Sequence, residues 1–202
     1  MFLSVVGYPN AETNFDGKIG LWSIEDDKIA GKRSKNHERG DIYKVPASLT
    51  ANLYYDLLTK EGGIIDCIKA KYRLPEGVNI IVQQDGATPH TGKDNLNKIN
   101  EYCRNKQIPM EFIKQPAQSP DLNVNDLGLF HSLKSCVSKK LRTIKTIDSL
   151  KTTVQKEYEL YNSSTILKIW DHLEFVYKQI RLYKGQNTYP THRKIQQNSA
   201  KL

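Results

Sequence analysis

The chain has 202 residues, of which 38% are hydrophobic and 26% charged, the composition of an ordinary soluble domain able to bury one core. Thirty Lys and Arg against 22 Asp and Glu give a formal charge of +8 and a pI near 9.2. That balance favours an anionic partner such as a nucleic acid, although many basic proteins bind none. No apolar stretch approaches the ~20 residues that cross a bilayer, and MFLSVVGYP lacks the basic start and cleavage site of a signal peptide. An intracellular protein with no membrane partner is expected. Cys67, Cys103 and Cys136 are odd in number and widely spaced, which excludes a disulfide framework and a paired-Cys zinc site and leaves reduced, packed thiols.

In chain order, FLSVVGYP and KIGLWSI are β-rich runs separated by NAETNFDG, whose Asn, Asp and Gly supply turn chemistry, so an antiparallel hairpin is predicted. The stretch DDKIAGKRSKNHERGD is too polar to bury and too charged for a core strand, and is predicted to be an exposed loop or arm. A helix follows, capped by Ser48 or Thr50, with Leu53, Leu57, Ile64, Ile65 and Ile68 at roughly helical intervals. Gly62 and Gly63 bend or divide it, and Pro75 and Gly77 end it. NIIVQQD then reads as a strand and TGKDNLNKINEYCRNKQ as an amphipathic helix with Leu96, Ile99 and Cys103 on one face. MEFIKQP is the next strand, completing a β-α-β unit. A helix starting near Asn123 carries Asp126, Phe130 and Leu133. Two further helices are predicted over 146–161 and 164–183. In the last of these Ile166, Ile169, Trp170, Leu173, Val176, Tyr177 and Ile180 form a stripe that reads as core packing ahead of a partner-binding face.

Two segments carry the chemistry: QQDGATPH at 83–90 and QPAQSPDLNVNDLGLF at 115–130. Each closes or follows an apolar strand-like run, so neighbouring parallel strands would present Asp85 and Asp126 together at their carboxyl ends. Paired carboxylates suit hard divalent cations and phosphoryl transfer. A clamp of two ions ~4 Å apart stabilises both attacking and leaving oxygens of an in-line displacement, and one carboxylate cannot hold both. Taken alone, Asp85 reads as a turn residue in QDG, and Asp126 as an acid favoured at a helix N-terminus; only the two segments together point to a site. Asp121, in the prominent SPD, reads as a turn or capping residue. His90 reads as a packing or capping residue ahead of a phosphate contact or a group that orients Asp85, and Asn123 as a helix cap ahead of a support for metal binding. Lys32, Arg33, Lys35 and Arg39 lie on the polar arm, and Lys139, Lys140 and Arg142 follow the helix of Asp126. Such runs are most often solvated faces and less often track a phosphate backbone. No P-loop, dinucleotide fingerprint or Ser-His-Asp ordering is present, so nothing supports a small-molecule cofactor.

The order hairpin, helix, strand, helix, strand, helix fits a mixed sheet flanked by helices on both faces. It is the ribonuclease H-like order with the first central strand missing and extra C-terminal helices. That strand normally lies between the hairpin and the parallel strands, so its loss would leave two edges unpaired and the domain poorly stable alone. The expected division is a catalytic domain over 1–144 and a helical extension of the same domain over 145–202.

QQDGATPH, SPDLNVNDLGLF, FDGKIGLW at 15–22 and the segment Gly185 to Tyr189, read as G-Q-N-x-Y, together resemble a mariner-type transposase, nearest to the mariner-like elements of plants and oomycetes. The resemblance runs from about Met1 to about Lys194. It implies a DDE or DDD catalytic domain in which three carboxylates hold two Mg²⁺ or Mn²⁺ ions, cleave DNA at the transposon end and join the freed 3′ end to target DNA. Asp85 matches the second acid and Asp126 the third, with 40 residues between them. Gly86 departs from the Asn usual in relatives. The first acid has no match, because the chain opens at Met1 inside the strand that would follow it, and the helix-turn-helix units that read inverted repeats have none either. DNA partners at transposon ends and target, a possible homodimer and a nuclear location follow from the resemblance. So does a product that is inactive as a fragment. The alternatives are a domesticated, non-catalytic DNA-binding or interaction module and, less favoured, a free-standing ribonuclease H-like nuclease.

Overall fold

In the computed structural model, which describes residues 1–72, 77–186 and 189, the chain folds as a mixed α/β structure of several helices and small sheets. Strand β1 (Phe2–Val6) pairs antiparallel with β2 (Lys18–Ser23), from Phe2 opposite Ser23 to Val5 opposite Gly20, with an irregularity between Val5 and Val6. The turn is organised by the side chain of Asn10, which accepts from the amides of Glu12 (2.9 Å) and Thr13 (3.3 Å), and by Asp16, which accepts from that of Lys18 (2.9 Å).

Ile24 is 2% exposed and joins this hairpin to a second one. Its amide donates to Met1 O (2.8 Å) and its carbonyl accepts from the amide of Ala47 (3.1 Å). Strands β3 (Glu25–Ile29) and β4 (Ile42–Pro46) then form an antiparallel pair. The predicted polar arm is therefore a β-ribbon and not a plain loop. Its β3 strand has no buried face, which is why alternation did not reveal it. Lys44 pairs with Asp27 (2.7 Å), Lys151 with Glu25 (3.2 Å), and His37 stacks on Tyr43 with ring centres 4.0 Å apart.

Helix α1 (Ala51–Thr59) starts where Thr50 Oγ1 accepts from the amide of Leu53 (3.2 Å), which selects Thr50 over Ser48 as the cap. The helix is divided from α2 (Ile64–Lys71) at Gly62 and Gly63: Gly62 has φ +66°, and a Cβ on Gly63 would lie 2.7 Å from the carbonyls of Leu57 and Lys60. Pro75 lies outside the described residues. Strand β5 (Ile80–Gln84) leads through a one-turn helix α3 (Thr88–Thr91) into α4 (Asn95–Asn105). The chain then returns as β6 (Met110–Lys114), parallel to β5 from Ile80 opposite Met110 to Gln84 opposite Lys114. Asn100 clamps the helix to the strand by donating to Phe112 O (2.9 Å) and accepting from Phe112 N (2.8 Å).

A π-helical turn over Asn125–Leu129 continues as α5 (Phe130–Ser138), followed by α6 (Ile147–Glu159) and α7 (Ser163–Leu182). Thr146 and Ser149 form a capping box for α6, and Asn162 caps α7. In α7 Ile166, Leu173 and Val176 are buried, as expected of a core stripe, while Tyr177 stays exposed.

The β1–β2 hairpin lies between two apolar layers. Leu3, Val5, Ile19 and Trp22 pack with Leu58, Ile99 and Phe112, on the side of α1, α2 and α4. Phe2, Val6 and Leu21 pack with Leu129, Tyr158 and Ile166, on the side of α5, α6 and α7. Instead of one mixed sheet there are three two-stranded ones, because among the described residues no strand bridges β1 and β5. Among the described residues no strand pairs with the outer edge of either, and both strands line a cleft of about 740 Å³. No described helix is long and apolar enough to cross a membrane.

Candidate active site

Asp85 stands at the carboxyl end of β5, where its Oδ1 accepts from the amide of Ala87 (2.9 Å) and closes a tight turn. His90 Nε2 lies 3.4 Å from the same oxygen. Behind the turn is a polar network inside the apolar layer. Tyr54 OH donates to Gln84 Oε1 (2.8 Å), Gln84 Nε2 donates to His90 O (3.2 Å), and the His90 ring meets the Tyr54 ring edge-on at 4.2 Å. Asn95 Nδ2 donates to Ala51 O (3.0 Å) and Pro89 O (2.9 Å). Burial lowers the pKa of His90, partly offset by the negative charge of Asp85, and burial raises that of Tyr54. The ring is thus neutral near pH 7, with Nε2 facing the carboxylate. His90 is both a packing residue, 8% exposed, and the neighbour of Asp85.

Asp126 is held on the π turn, a geometry that recurs at functional sites because it re-aims side chains within a helix. Asn123 Oδ1 accepts from the amide of Asn125 (3.0 Å), the capping role read from the sequence. Asn125 Nδ2 donates to Ser4 O on β1 (3.2 Å), and Gln83 Nε2 on β5 donates to Leu122 O (2.7 Å). The segment bearing Asp126 is therefore tied to both strands that flank the cleft. Asp85 and Asp126 line the same cleft. The carboxyl of Asp126 sits above its ordinary pKa, chiefly from partial loss of solvent and secondarily from the charge of Asp85.

Asp121 belongs to the 3-10 turn Pro120–Leu122, and its carboxylate accepts from Tyr189 OH. The Tyr189 pKa is pushed up to about 12 by burial and by that carboxylate. The C-terminal motif thus meets the SPD motif directly, although Asn187, Thr188 and the stretch on to Lys194 lie outside the described residues. Gly86 has a close neighbour: a Cβ there would lie 2.8 Å from Lys114 Cε, so any side chain would have to displace that lysine.

The basic candidates do not join the acids. Lys32, Arg33, Lys35 and Arg39 lie along the β-ribbon's connecting loop, and Arg33 pairs with Glu38 (3.0 Å). Lys139, Lys140 and Arg142 follow α5, where Lys140 pairs with Glu157. None of the seven lines the cleft.

Gln83, Gln84, Tyr54 and Asn125 were not singled out from the sequence. The available signal was the pair of glutamines closing an otherwise apolar strand, since polar groups in a buried position need partners.

Two carboxylates sharing one mouth suit a single hard divalent cation, which would relieve their mutual repulsion. Among the described residues no group of three His, Cys, Asp or Glu side chains is arranged to hold a metal, so the residues present do not make a two-ion clamp. The chain matches no protein-family model and no curated protein.

Proposed function

We propose that this chain is the catalytic-domain portion of a mariner-like transposase, with a ribonuclease H-like fold and two of the three carboxylates of a DDE or DDD site. The observation that carries the reading is the convergence of Asp85 and Asp126, with 40 residues between them in the chain, on one cleft. The carboxylate of Asp85 closes its own turn, and the segment bearing Asp126 is tied down through its neighbour Asn125. The two free strand edges beside them support the same reading. In its complete form such a site would take Mg²⁺ or Mn²⁺ and cleave and join DNA, acting as a dimer in the nucleus. With two acids, this chain by itself binds a cation without turning over. The exposed ribbon and the basic segment after α5 are the surfaces that would follow a phosphate backbone.

The test is Mn²⁺ binding by calorimetry together with plasmid nicking in Mg²⁺. The expected result is Mn²⁺ binding that Asp126→Ala and Asp85→Asn each weaken at least tenfold, with no nicking by the unaltered chain. Mn²⁺ affinity indifferent to both substitutions would reject the site. Robust nicking abolished by Asp126→Ala would show that it is complete as it stands. A second reading, a non-catalytic DNA-binding module, is favoured by the absence of a third carboxylate among the described residues. It predicts salt-dependent DNA affinity that survives replacement of both acids.

A further inference from the structure

No lysine or arginine side chain lines the cleft that holds Asp85 and Asp126. Two carboxylates with no basic neighbour repel any phosphate brought to them. A cation bound between them offsets the repulsion without fixing where a strand lies. A protein group that anchors a phosphate therefore has to stand at the mouth, outside the lining.

Lys114 stands there. It is the last residue of β6, opposite Gln84 at the end of β5, and Gln115 N donates to Gln84 O (2.8 Å) to close the ladder at this level. Its side chain crosses from β6 to the turn that follows Asp85. A Cβ on Gly86 would lie 2.8 Å from Lys114 Cε and 3.6 Å from Nζ, so the tip of the lysine fills the place where another residue would carry its side chain. Gly86 is not among the glycines with positive φ, so its backbone does not require a glycine. What Gly86 supplies is room, and Lys114 occupies it.

The ammonium is uncommitted. The carboxylate of Asp85 is engaged by Ala87 N and faces His90 Nε2, and Lys114 Nζ joins no ion pair among the described residues. Gly86 N likewise donates to no described group. An exposed lysine is ordinarily a solvated charge on a mobile stem, but this one is laid over a glycine one residue from Asp85. An ammonium is a compact charge with three rotatable donors, which suits a single phosphate oxygen.

We propose that Lys114, held over Gly86, seats one phosphate of a nucleic-acid strand at the mouth of the cleft and so fixes the level of the strand relative to Asp85 and Asp126. The seat rests on the proposed function for its ligand. Its placement rests on the contact between Lys114 and Gly86 alone.

The test uses the full chain and a fluorescein-labelled pentathymidylate, followed by anisotropy with and without Mn²⁺, with Mn²⁺ affinity measured in parallel by calorimetry. Expected is saturable binding in Mn²⁺ that Lys114→Met weakens about fivefold or more, while Lys114→Arg, which keeps the charge, stays within about threefold of wild type. Gly86→Ala should weaken it about as much as Lys114→Met, because the added methyl pushes the lysine tip from its place. The double variant should bind no worse than Lys114→Met, since both changes remove one contact. Lys98→Met, which deletes the same charge from an exposed position on α4, should stay within about twofold. Gly86 and Lys114 are themselves exposed, so these variants should fold.

Strand binding indifferent to Lys114→Met, with Mn²⁺ affinity still dependent on Asp126, would reject the seat and spare the metal site. Loss with Lys114→Met but not with Gly86→Ala would reject the placement over Gly86. No strand binding in Mn²⁺ would reject the seat outright. Binding that needs Lys114 equally with and without Mn²⁺, in a chain whose Mn²⁺ affinity ignores Asp126, would keep the phosphate seat and sink the metal site.

Discussion

The strand pairs β5–β6 and β3–β4 are the same size, five residues in every strand, yet they serve opposite ends. In β5–β6, Met110 and Phe112 are buried under α4 and the carboxyl end of β5 aims a carboxylate at a cleft. In β3–β4, Ile29 and Ile42 are 65% and 69% exposed, and the ribbon is fixed by ion pairs and a ring stack at its surface. A covered pair holds its side chains to one geometry, which catalysis by positioned charge requires. An uncovered ribbon has only such surface ties, so its side chains are held less firmly.

The contrast is easiest to break at its strongest point. Phe112→Ala should cost about 3–5 kcal/mol in urea unfolding, because a 1% exposed ring leaves a cavity, whereas Ile42→Ala on the ribbon should fall within about 0.5 kcal/mol of wild type. Similar costs at both sites would erase the distinction. Next comes the clamp: Asn100→Ala strands the amide and carbonyl of Phe112 and should cost about 1–3 kcal/mol by the same measurement.

The third prediction concerns pH. Folding lowers the pKa of His90, so above its unfolded value of about 6.5 both states are neutral. As pH falls below that value the unfolded chain takes up a proton that the folded chain resists. Stability should therefore decline on acidification, by at most about 1.4 kcal/mol per pH unit from this group, and His90→Gln should flatten that part of the profile. An unchanged slope would mean that the ring is not buried beside Tyr54.

What the sequence disclosed, and what it hid, follows the same division. β1, β2, β5, β6 and the helices could be read because their apolar residues recur at the period of a covered element. Asp85 and Asp126 could be read because SPDLNVNDLGLF and QQDGATPH restrict spacing as well as residue type. The ribbon escaped because Asp26, Asp27, Lys28 and Ile29 are all exposed, leaving only cross-strand hydrogen bonds to define a strand. The π turn at Asp126 escaped because its i→i+5 bonding has no residue signature. The ties from Gln83 to Leu122 and from Asn125 to Ser4 span 39 and 121 residues, and nothing local to either end announces such a partner.

The hydrogen bond from Tyr189 to Asp121 carries a practical consequence for anyone shortening this protein. A fragment trimmed at the end of α7, the natural place to cut by eye, would discard Tyr189 and leave the carboxylate of Asp121 without it, five positions ahead of Asp126. The working C-terminal boundary of a minimal fragment therefore lies at or after residue 189, set by one phenol and not by the end of α7.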